Sequence, residues 1–383
     1  KLITKMKANR SYQICSVSVM DTTDPEITFN EDGVSNHVLE YQEYLENIKP
    51  DKQKANELKS QMLKELQQAG KHKDYDCIIG LSGGVDSSYL AWYVTKVLKI
   101  RPLIVHVDAG WNNEIAVHNI ENIVKILNLD LHTVVLDWSE IRDLQLAFFK
   151  SSLANIDVPQ DHAIIKCVYN VAREFGIKYI INGNNMSTES ILPLSWGYDA
   201  SDSILIKDVH KKFGTKPLNN YPLLSFFQKF IYYPRIVQIK SFSPLDWIDY
   251  NKEDAKKFLI KELNWRDYGG KHYESRFTKF FQAHYLPSKF NFDKRKAHLS
   301  SLIVSGQITR EQALIELKEP LYNKVELQND IDFFIKKLGI TLEEYNEIME
   351  TPPRFYYQYA NSEKLINRIR KVYHPIKYFL KNK

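Results

Sequence analysis

The sequence predicts an α/β protein: a doubly wound parallel sheet with a small N-terminal extension and a mainly helical C-terminal region. Two observations carry this. First, short apolar runs alternate with helix-length amphipathic segments between residues 75 and 183, the pattern of βαβ units. Second, one strand ends in the polar, glycine-bearing elbow "SGGVDSS" (82–88) before apolar residues resume. Parallel sheets bind ligands beyond the carboxyl ends of their strands. Three segments are expected: residues 1–70, 71–250 and 251–383.

Taken in order, residues 11–41 are short, polar and turn-rich, and 42–70 read as one charged helix with a sparse apolar stripe ending at Gly70. "YDCIIGL" reads as a strand and "SSYLAWYVTKVLK" as a helix. "RPLIVHVD", "EIAVHNIENIVKILN" and "LHTVVLD" continue as strand, helix and strand. "SEIRDLQLAFFKSSL" and "DHAIIKCVYNVAREFG" are helices before the strand "IKYIING". The polar strand ends "SGGVDSS", "DAGWNN", "DW" and "NGNN" are all expected to line one crevice. Beyond residue 200 aromatics and lysines crowd the chain. "NKEDAKKFLIKELNW" reads as a helix capped by Asn251, and short helices follow from "TREQALIELK" to the C-terminal segment.

The 383 residues carry 52 Lys and Arg against 47 Asp and Glu, a net charge of +5. That is a mild excess suited to anionic small substrates, and it does not single out nucleic acid. No apolar run approaches the roughly 18 residues of a membrane span. Cys15, Cys77 and Cys167 are far apart, which disfavours a disulfide framework and makes a reducing cytoplasm the expected location.

At a strand end opening a helix, "SGGVDSS" has the makings of a phosphate cradle. Gly83 and Gly84 permit close backbone approach, Ser82, Ser87 and Ser88 supply hydroxyls, and a helix start favours anions. The lysine of a Walker A loop is missing and Asp86 stands within the string. A carboxylate beside phosphates makes sense if it holds Mg²⁺; the plainer alternative is that Asp86 merely caps the helix. After the second strand, Val107 is expected to read adenine through its backbone, and Asp108 to take a ribose hydroxyl or Mg²⁺. Gly183, Asn184 and Glu189 follow another strand, with ATP, Mg²⁺ or an acceptor as their candidate partners. Asp161, with His162 at the start of the preceding helix, is open between capping and catalysis.

"SGGVDSS" resembles the pyrophosphate-loop signature of the N-type ATP pyrophosphatases, which have an adenine-nucleotide α-hydrolase (PP-loop) fold. The resemblance implies cleavage of ATP between the α and β phosphates and adenylation of a carbonyl or amide oxygen. More narrowly, "VMDTTDPEITFNEDGV", "DAGWNN" and "WRDYGGKHYESRFTKFFQAHYLP…FDKRKAHLSSLI" resemble the N-acetyl sugar amidotransferases of surface-polysaccharide (LPS O-antigen) synthesis, the WbpG/PseA-like group. The likeness runs over about residues 12–320. It implies conversion of an acetamido group of a nucleotide-linked sugar into an acetamidino group, using ATP and Mg²⁺. Ammonia would come from a HisH-like glutaminase with a HisF-like companion, since this chain shows no nucleophile elbow or glycine-flanked cysteine of its own.

Within 265–298, Arg266, Lys271, His272, Glu274, Arg276, Lys279, Lys294, Arg295 and His298 are interleaved with aromatics and "YGG". This reads as a folded-over lid whose cations clamp pyrophosphate or an acidic sugar nucleotide. With the resemblance, Lys271 and His272 join Asp86 and Glu189 as the catalytic candidates. Arg266, Glu274, Arg276, Lys294 and Arg295 are the substrate-binding ones. The resemblance also implies two Cys-x-x-Cys pairs near the start. Here Ser18, Ser35 and Val38 stand where three of those cysteines belong, leaving Cys15 and His37 as the remaining candidate ligands. Two ligands do not make a structural zinc site, so none is expected. The competing reading is a tRNA-modifying pyrophosphatase, a lysidine-type ligase or a thiolase; a third is a non-catalytic scaffold for the glutaminase.

Overall fold

A computed structural model describes residues 10–271 and 273–368. Two helices open the chain, α1 (Asn36–Asn47) and α2 (Lys52–Gly70). The single helix expected over 42–70 is therefore broken. Pro50 cannot donate within a helix, and the Asp51 carboxylate restarts the chain by accepting from Lys54 N.

Among the described residues five strands follow: β1 (Cys77–Gly80), β2 (Pro102–Asp108), β3 (Leu131–Val135), β4 (Tyr179–Ile181) and β5 (Lys240–Phe242). They form one sheet in the order β3-β2-β1-β4-β5, with every pairing parallel. The sequence reading missed β5, whose three residues lie on an edge in a lysine-rich stretch too short to show an apolar run. Between the strands lie α3 (Val85–Trp92), α4 (Glu114–Leu127), α5 (Trp138–Ser151), α6 (Val158–Glu174), α7 (Met186–Glu189) and α8 (Ser203–Phe213). The helix expected through residue 99 instead turns π-helical over Tyr93–Val97. Beyond the sheet come α9 (Lys252–Leu263), α10 (Arg276–Phe280), α11 (Leu286–Phe290), α12 (Lys294–Val304), α13 (Arg310–Glu316), α14 (Lys324–Leu338) and α15 (Leu342–Glu350).

The side-chain alternation of β1 shows why the sheet is covered on both faces. Cys77 and Ile79 pack with Met62 and Leu66 of α2, Leu90 of α3, Ile123 of α4 and Leu259 of α9. Ile78 points the other way, with Val105 of β2, onto Val168 and Val171 of α6 and onto Tyr233. Each such fully buried side chain contributes about 1.5–3 kcal/mol. The winding reverses at β1: β2 and β3 lie on one side of it, β4 and β5 on the other. The elbow after β1 and the "NGNN" turn after β4 thus meet at the point where strand order changes.

A further aromatic core lies off the sheet. It joins Phe148 and Phe149 of α5, Trp196, Phe277 and Phe280 of α10, Tyr285, and Phe334 of α14. It also takes in Met20 and Ile27, so it draws on all three expected segments. The N-terminal turns close around Cys15, whose Sγ accepts from Ser18 N and Ser35 N at 3.3 Å each. Val19 N donates to Ser300 Oγ at 3.1 Å, and Arg310 donates to the carbonyls of Ser18 and Cys15. These turns therefore dock on α12 and α13, the helices that carry much of the candidate site. No helix among the described residues is long and apolar enough to cross a membrane.

Candidate functional site

The elbow after β1 owes its shape to specific contacts. Gly83 has φ +84°, and a Cβ there would lie 2.6 Å from Ala116 O. Trp265 Nε1 donates to Gly83 O at 2.8 Å, fixing the turn from above. Gly84 caps α3 without a side-chain hydrogen bond, so the amides of the first turn keep their donor capacity. Ser82 Oγ lies 3.2 Å from Ser87 Oγ and accepts from Gly84 N at 3.2 Å. Ser82, Gly84, Asp86 and Ser87 face a cavity of about 960 Å³. Gly83 and Ser88 stand behind its wall, and the buried Ser88 Oγ has no hydrogen-bond partner.

Asp86 does not cap its helix. Tyr250 donates to its Oδ1 at 2.5 Å, and Lys271 Nζ lies 4.0 Å from Oδ2. Lys271 is only 8 % exposed and pairs with Glu189 at 3.0 Å while donating to Thr188 O at 3.2 Å. Gly183 and Asn184 reach the same cavity from the end of β4. A Cβ on Gly183 would lie 3.3 Å from Ser87 N. Its close approach is thus to the loop itself, which lets the two strand ends pack together. Glu274, Lys294, Arg295 and His298 complete the wall from the C-terminal segment. Arg295 is already held by Asp293 at 2.8 Å and by the Glu319 carbonyl at 2.8 Å. His272 lies outside the described residues.

Lys252 and Lys256, one turn apart on α9, also line this cavity. The sequence reading took that segment only as a capped helix; the i, i+4 lysine spacing was the available signal. Lys256 is bound to Asp267, whereas among the described residues the Nζ of Lys252 makes no hydrogen bond or ion pair. Burial first, and then the Lys271 charge, lowers the Lys252 pKa. Tyr250, Trp265 and Tyr268 were likewise missed, because only the fold brings them over the elbow. Burial, followed by the Glu274 charge, pushes the Tyr268 phenol well up, so it stays a neutral donor.

A second chamber of about 600 Å³ adjoins the first, and Ser82, Glu189, Glu274, Lys294 and His298 line both. It adds Val107, His106 and Asn112 from the end of β2. His106 Nδ1 sits 3.0 Å from Leu81 O and Nε2 sits 3.0 Å from Asn112 Nδ2. Nδ1–H therefore donates and Nε2 accepts. Asp157 and Asp161 form part of the same wall. Asp157 accepts from Thr278 Oγ1 at 2.6 Å, and burial, with the Asp161 charge second, raises its pKa well above the usual carboxylate range.

The expectation that all four polar strand ends share one crevice is corrected. Asp108 lines neither chamber; its Oδ1 accepts from Gly110 N at 2.7 Å and so shapes its own turn. Asp137 caps α5 through Ser139 N and Glu140 N, and Trp138 packs against Gly110 and Trp111. Two arginines expected at substrate also lie elsewhere. Arg276 pairs with Asp330 at 2.6 Å, with its guanidinium 3.7 Å from the Phe333 ring centroid. The backbone N–H and carbonyl of Arg266 are bound by the Asn119 side-chain amide, and Arg266 lines a small separate hollow with His118 and Asn122. His162 is structural: it lies 2.8 Å from Ala200 O through Nδ1 and accepts from Leu224 N at 2.7 Å through Nε2.

The donor set fits a nucleoside triphosphate and Mg²⁺. Open amides at a helix start, the Ser82 and Ser87 hydroxyls, and two lysines, Lys252 and Lys294, with no anionic partner among the described residues suit phosphate oxygens. No group of three or more acidic, His or Cys side chains that could hold a metal occurs among the described residues. Mg²⁺ bound through one carboxylate, phosphate oxygens and water needs no such group, and Asp86, on the elbow and facing the cavity, would be the carboxylate to hold it.

Residues 274–373 match the family model described as the C-terminal domain of WbpG-like LPS biosynthesis proteins. The resemblance read from the sequence is met there. An uncharacterized protein of Methanocaldococcus jannaschii is 24% identical over 252 residues, which span 64% of this chain and 73% of that protein. Solved structures to which the chain shows similarity include NMN synthetase from Francisella tularensis, at 15% identity and TM-score 0.28, covering 54% of this chain and 87% of that one. The NH3-dependent NAD synthetase from Campylobacter jejuni is 17% identical with TM-score 0.28, covering 55% and 84%. The U34-tRNA thiolase NcsA from Methanococcus maripaludis is 16% identical with TM-score 0.30, covering 68% and 80%.

Proposed function

We propose that this chain is an ATP-dependent amidotransferase that converts the acetamido group of an N-acetylated, nucleotide-linked sugar into an acetamidino group, in LPS O-antigen or related glycan synthesis. One observation carries the reading. The Ser82–Ser88 elbow at the switch point of the sheet shares a single cavity with the cationic C-terminal segment, part of which matches the WbpG-like family model.

An amide oxygen is a poor leaving group, and ATP makes it a good one. The loop amides and Ser82 and Ser87 bind the leaving pyrophosphate, while Lys252 and Lys271 neutralise its growing charge. Asp86 holds Mg²⁺, which supplies further charge neutralisation when bound. Tyr250 fixes the Asp86 carboxylate, and Glu189 fixes Lys271. Val107 and its neighbours in the second chamber receive the nucleoside. Ammonia replaces AMP; a HisH-like glutaminase with a HisF-like subunit is the proposed source.

The test is to incubate the protein with ATP, Mg²⁺, ammonium and UDP-linked N-acetyl sugars and to follow AMP and pyrophosphate. Sugar-dependent release of both, with the sugar lighter by about one dalton for O replaced by NH, is the expected result. AMP formation that requires tRNA instead would establish the competing RNA-modifying activity. An absence of turnover with either would sink the catalytic reading.

A further inference from the structure

We propose that Lys294 is the proton acceptor for the incoming nitrogen, acting at the neck between the two chambers. This rests on the amidotransferase reading above. If pyrophosphate is bound at the elbow in the first chamber and the nucleoside at Val107 in the second, the α-phosphate and the acceptor oxygen must meet where the chambers join. Lys294 is the one lysine or arginine among the described residues that lines both. Its Nζ makes no hydrogen bond or ion pair among the described residues, unlike Lys271, Lys256 and Arg295, which are all engaged. A Cβ on Gly197 would stand at ordinary contact distance, 3.7 Å, from that Nζ, so Gly197 flanks the amine.

The surroundings decide the protonation state. Asp157 just before α6 and Asp161 within it face the amine, as do Glu189 of α7 and Lys271 of the loop before α10, and Glu274, Arg295 and His298 line the same wall. Burial is the largest influence on Lys294 and Lys271 adds to it. The acids at 161, 189 and 157 oppose them, and the net result is a pKa lowered to about 8. The amine is therefore charged well below that pH and free as a base above it. Lys271, clamped by Glu189 and Thr188, is suited to hold charge rather than to move protons.

The step balances. Ammonia adds to the carbon of the protonated O-adenylyl imidate and forms a C–N bond. The Nζ lone pair of Lys294 takes one proton from the added nitrogen. The C–O bond to AMP breaks, its electron pair leaving with the phosphate oxygen, and C=N character forms as the amidinium. AMP departs as the dianion and Lys294 ends as ammonium.

The test separates the two halves of the reaction in single-turnover experiments with ammonium as nitrogen source. Wild type, Lys294→Arg and Lys294→Met are compared at fixed concentrations of free ammonia between pH 6.5 and 9.5. Wild-type AMP release should rise through about pH 8. In Lys294→Arg, pyrophosphate release should stay within about three-fold, while AMP release falls on the order of 100-fold or more and loses the pH dependence. Lys294→Met should show the same loss of AMP release, and thermal melts of both variants report their folding. An equal fall in both half-reactions would make Lys294 a phosphate clamp and overturn the proposal, as would AMP release that either variant leaves intact. If wild type itself releases no pyrophosphate with any sugar, the amidotransferase reading has failed, and the role of Lys294 falls with it.

Discussion

Tyr250 and Asp86 are 164 positions apart in the chain, yet the phenol of one donates to the carboxylate of the other over 2.5 Å. The bond leaves Asp86 Oδ2 toward Lys271 and the cavity. It also raises the Tyr250 pKa, with burial the larger cause and the Asp86 charge next. Removing the hydroxyl in Tyr250→Phe loosens the carboxylate without deleting it. The half-saturating Mg²⁺ concentration for pyrophosphate release should rise several-fold, about 1 kcal/mol. Asp86→Ala should abolish AMP formation with the circular dichroism spectrum unchanged. Undiminished turnover in the alanine variant would remove Asp86 from the mechanism.

Lys252 sets folding against binding. Its half-buried ammonium makes no ion pair among the described residues and lies near the Lys271 charge, an unfavourable arrangement until an anion arrives. Lys252→Met should therefore melt at the same temperature as wild type or higher. The same variant should bind a non-cleavable α,β-methylene ATP about 10–100-fold more weakly, the loss of one charge-assisted contact. Calorimetry measures both, and unchanged nucleotide affinity would exclude Lys252 from the phosphate site.

Gly83 is the position where substitution should do most harm. A side chain there meets a positive φ and the Ala116 carbonyl at 2.6 Å together. Gly83→Ala should cost about 1–3 kcal/mol or more in urea unfolding. Gly269 offers the control: it also has positive φ, but a Cβ there meets nothing within 4 Å. Gly269→Ala should therefore be the milder of the two.

Arg276 was expected at substrate from its sequence neighbours, but it is engaged with Asp330 and stacked on Phe333. Arg276→Ala should lower stability by about 1–2 kcal/mol and leave the affinity for α,β-methylene ATP within two-fold of wild type. A large drop in nucleotide affinity at unchanged stability would restore its ligand role.

His162 should make the protein acid-sensitive. Burial, the first cause, lowers its pKa to about 4, against an ordinary unfolded value of about 6.5. The unfolded chain thus takes up a proton that the folded one refuses. This contribution to stability is intact above about pH 6.5 and is lost as pH falls toward 4. By pH 4.5 the loss amounts to about 2–3 kcal/mol. His162→Gln should flatten this part of the stability profile between pH 7 and 4.5, and equal slopes in the two proteins would refute the assignment.

Local pattern was enough to place four of the five strands. The runs "CIIG", "PLIVHVD" and "YII" are apolar because both faces of the central strands are covered, and that burial is written in adjacent residues. The elbow at 82–88 was equally legible, since glycines, hydroxyls and one acid at a strand-to-helix junction state their chemistry within seven positions. Asn251 as a helix cap was also legible, its side chain accepting from Asp254 N.

Which cations face that elbow was decided only by the tertiary structure. Lys271, Arg276 and Lys294 look alike in a string of basic and aromatic residues. Packing gave Arg276 an acid and a ring on α14, closed Lys271 against Glu189, and left Lys294 at the neck of two chambers. Lys252 and Tyr250 came to the site from a helix and turn with no local mark of function. The sequence by itself determined the first four strands and the phosphate elbow, because hydrophobic patterning and turn chemistry act between neighbours, while the three-residue edge strand β5 left no local mark. A side chain's electrostatic task depends on what long-range folding brings within a few ångströms of it, and no local pattern records that.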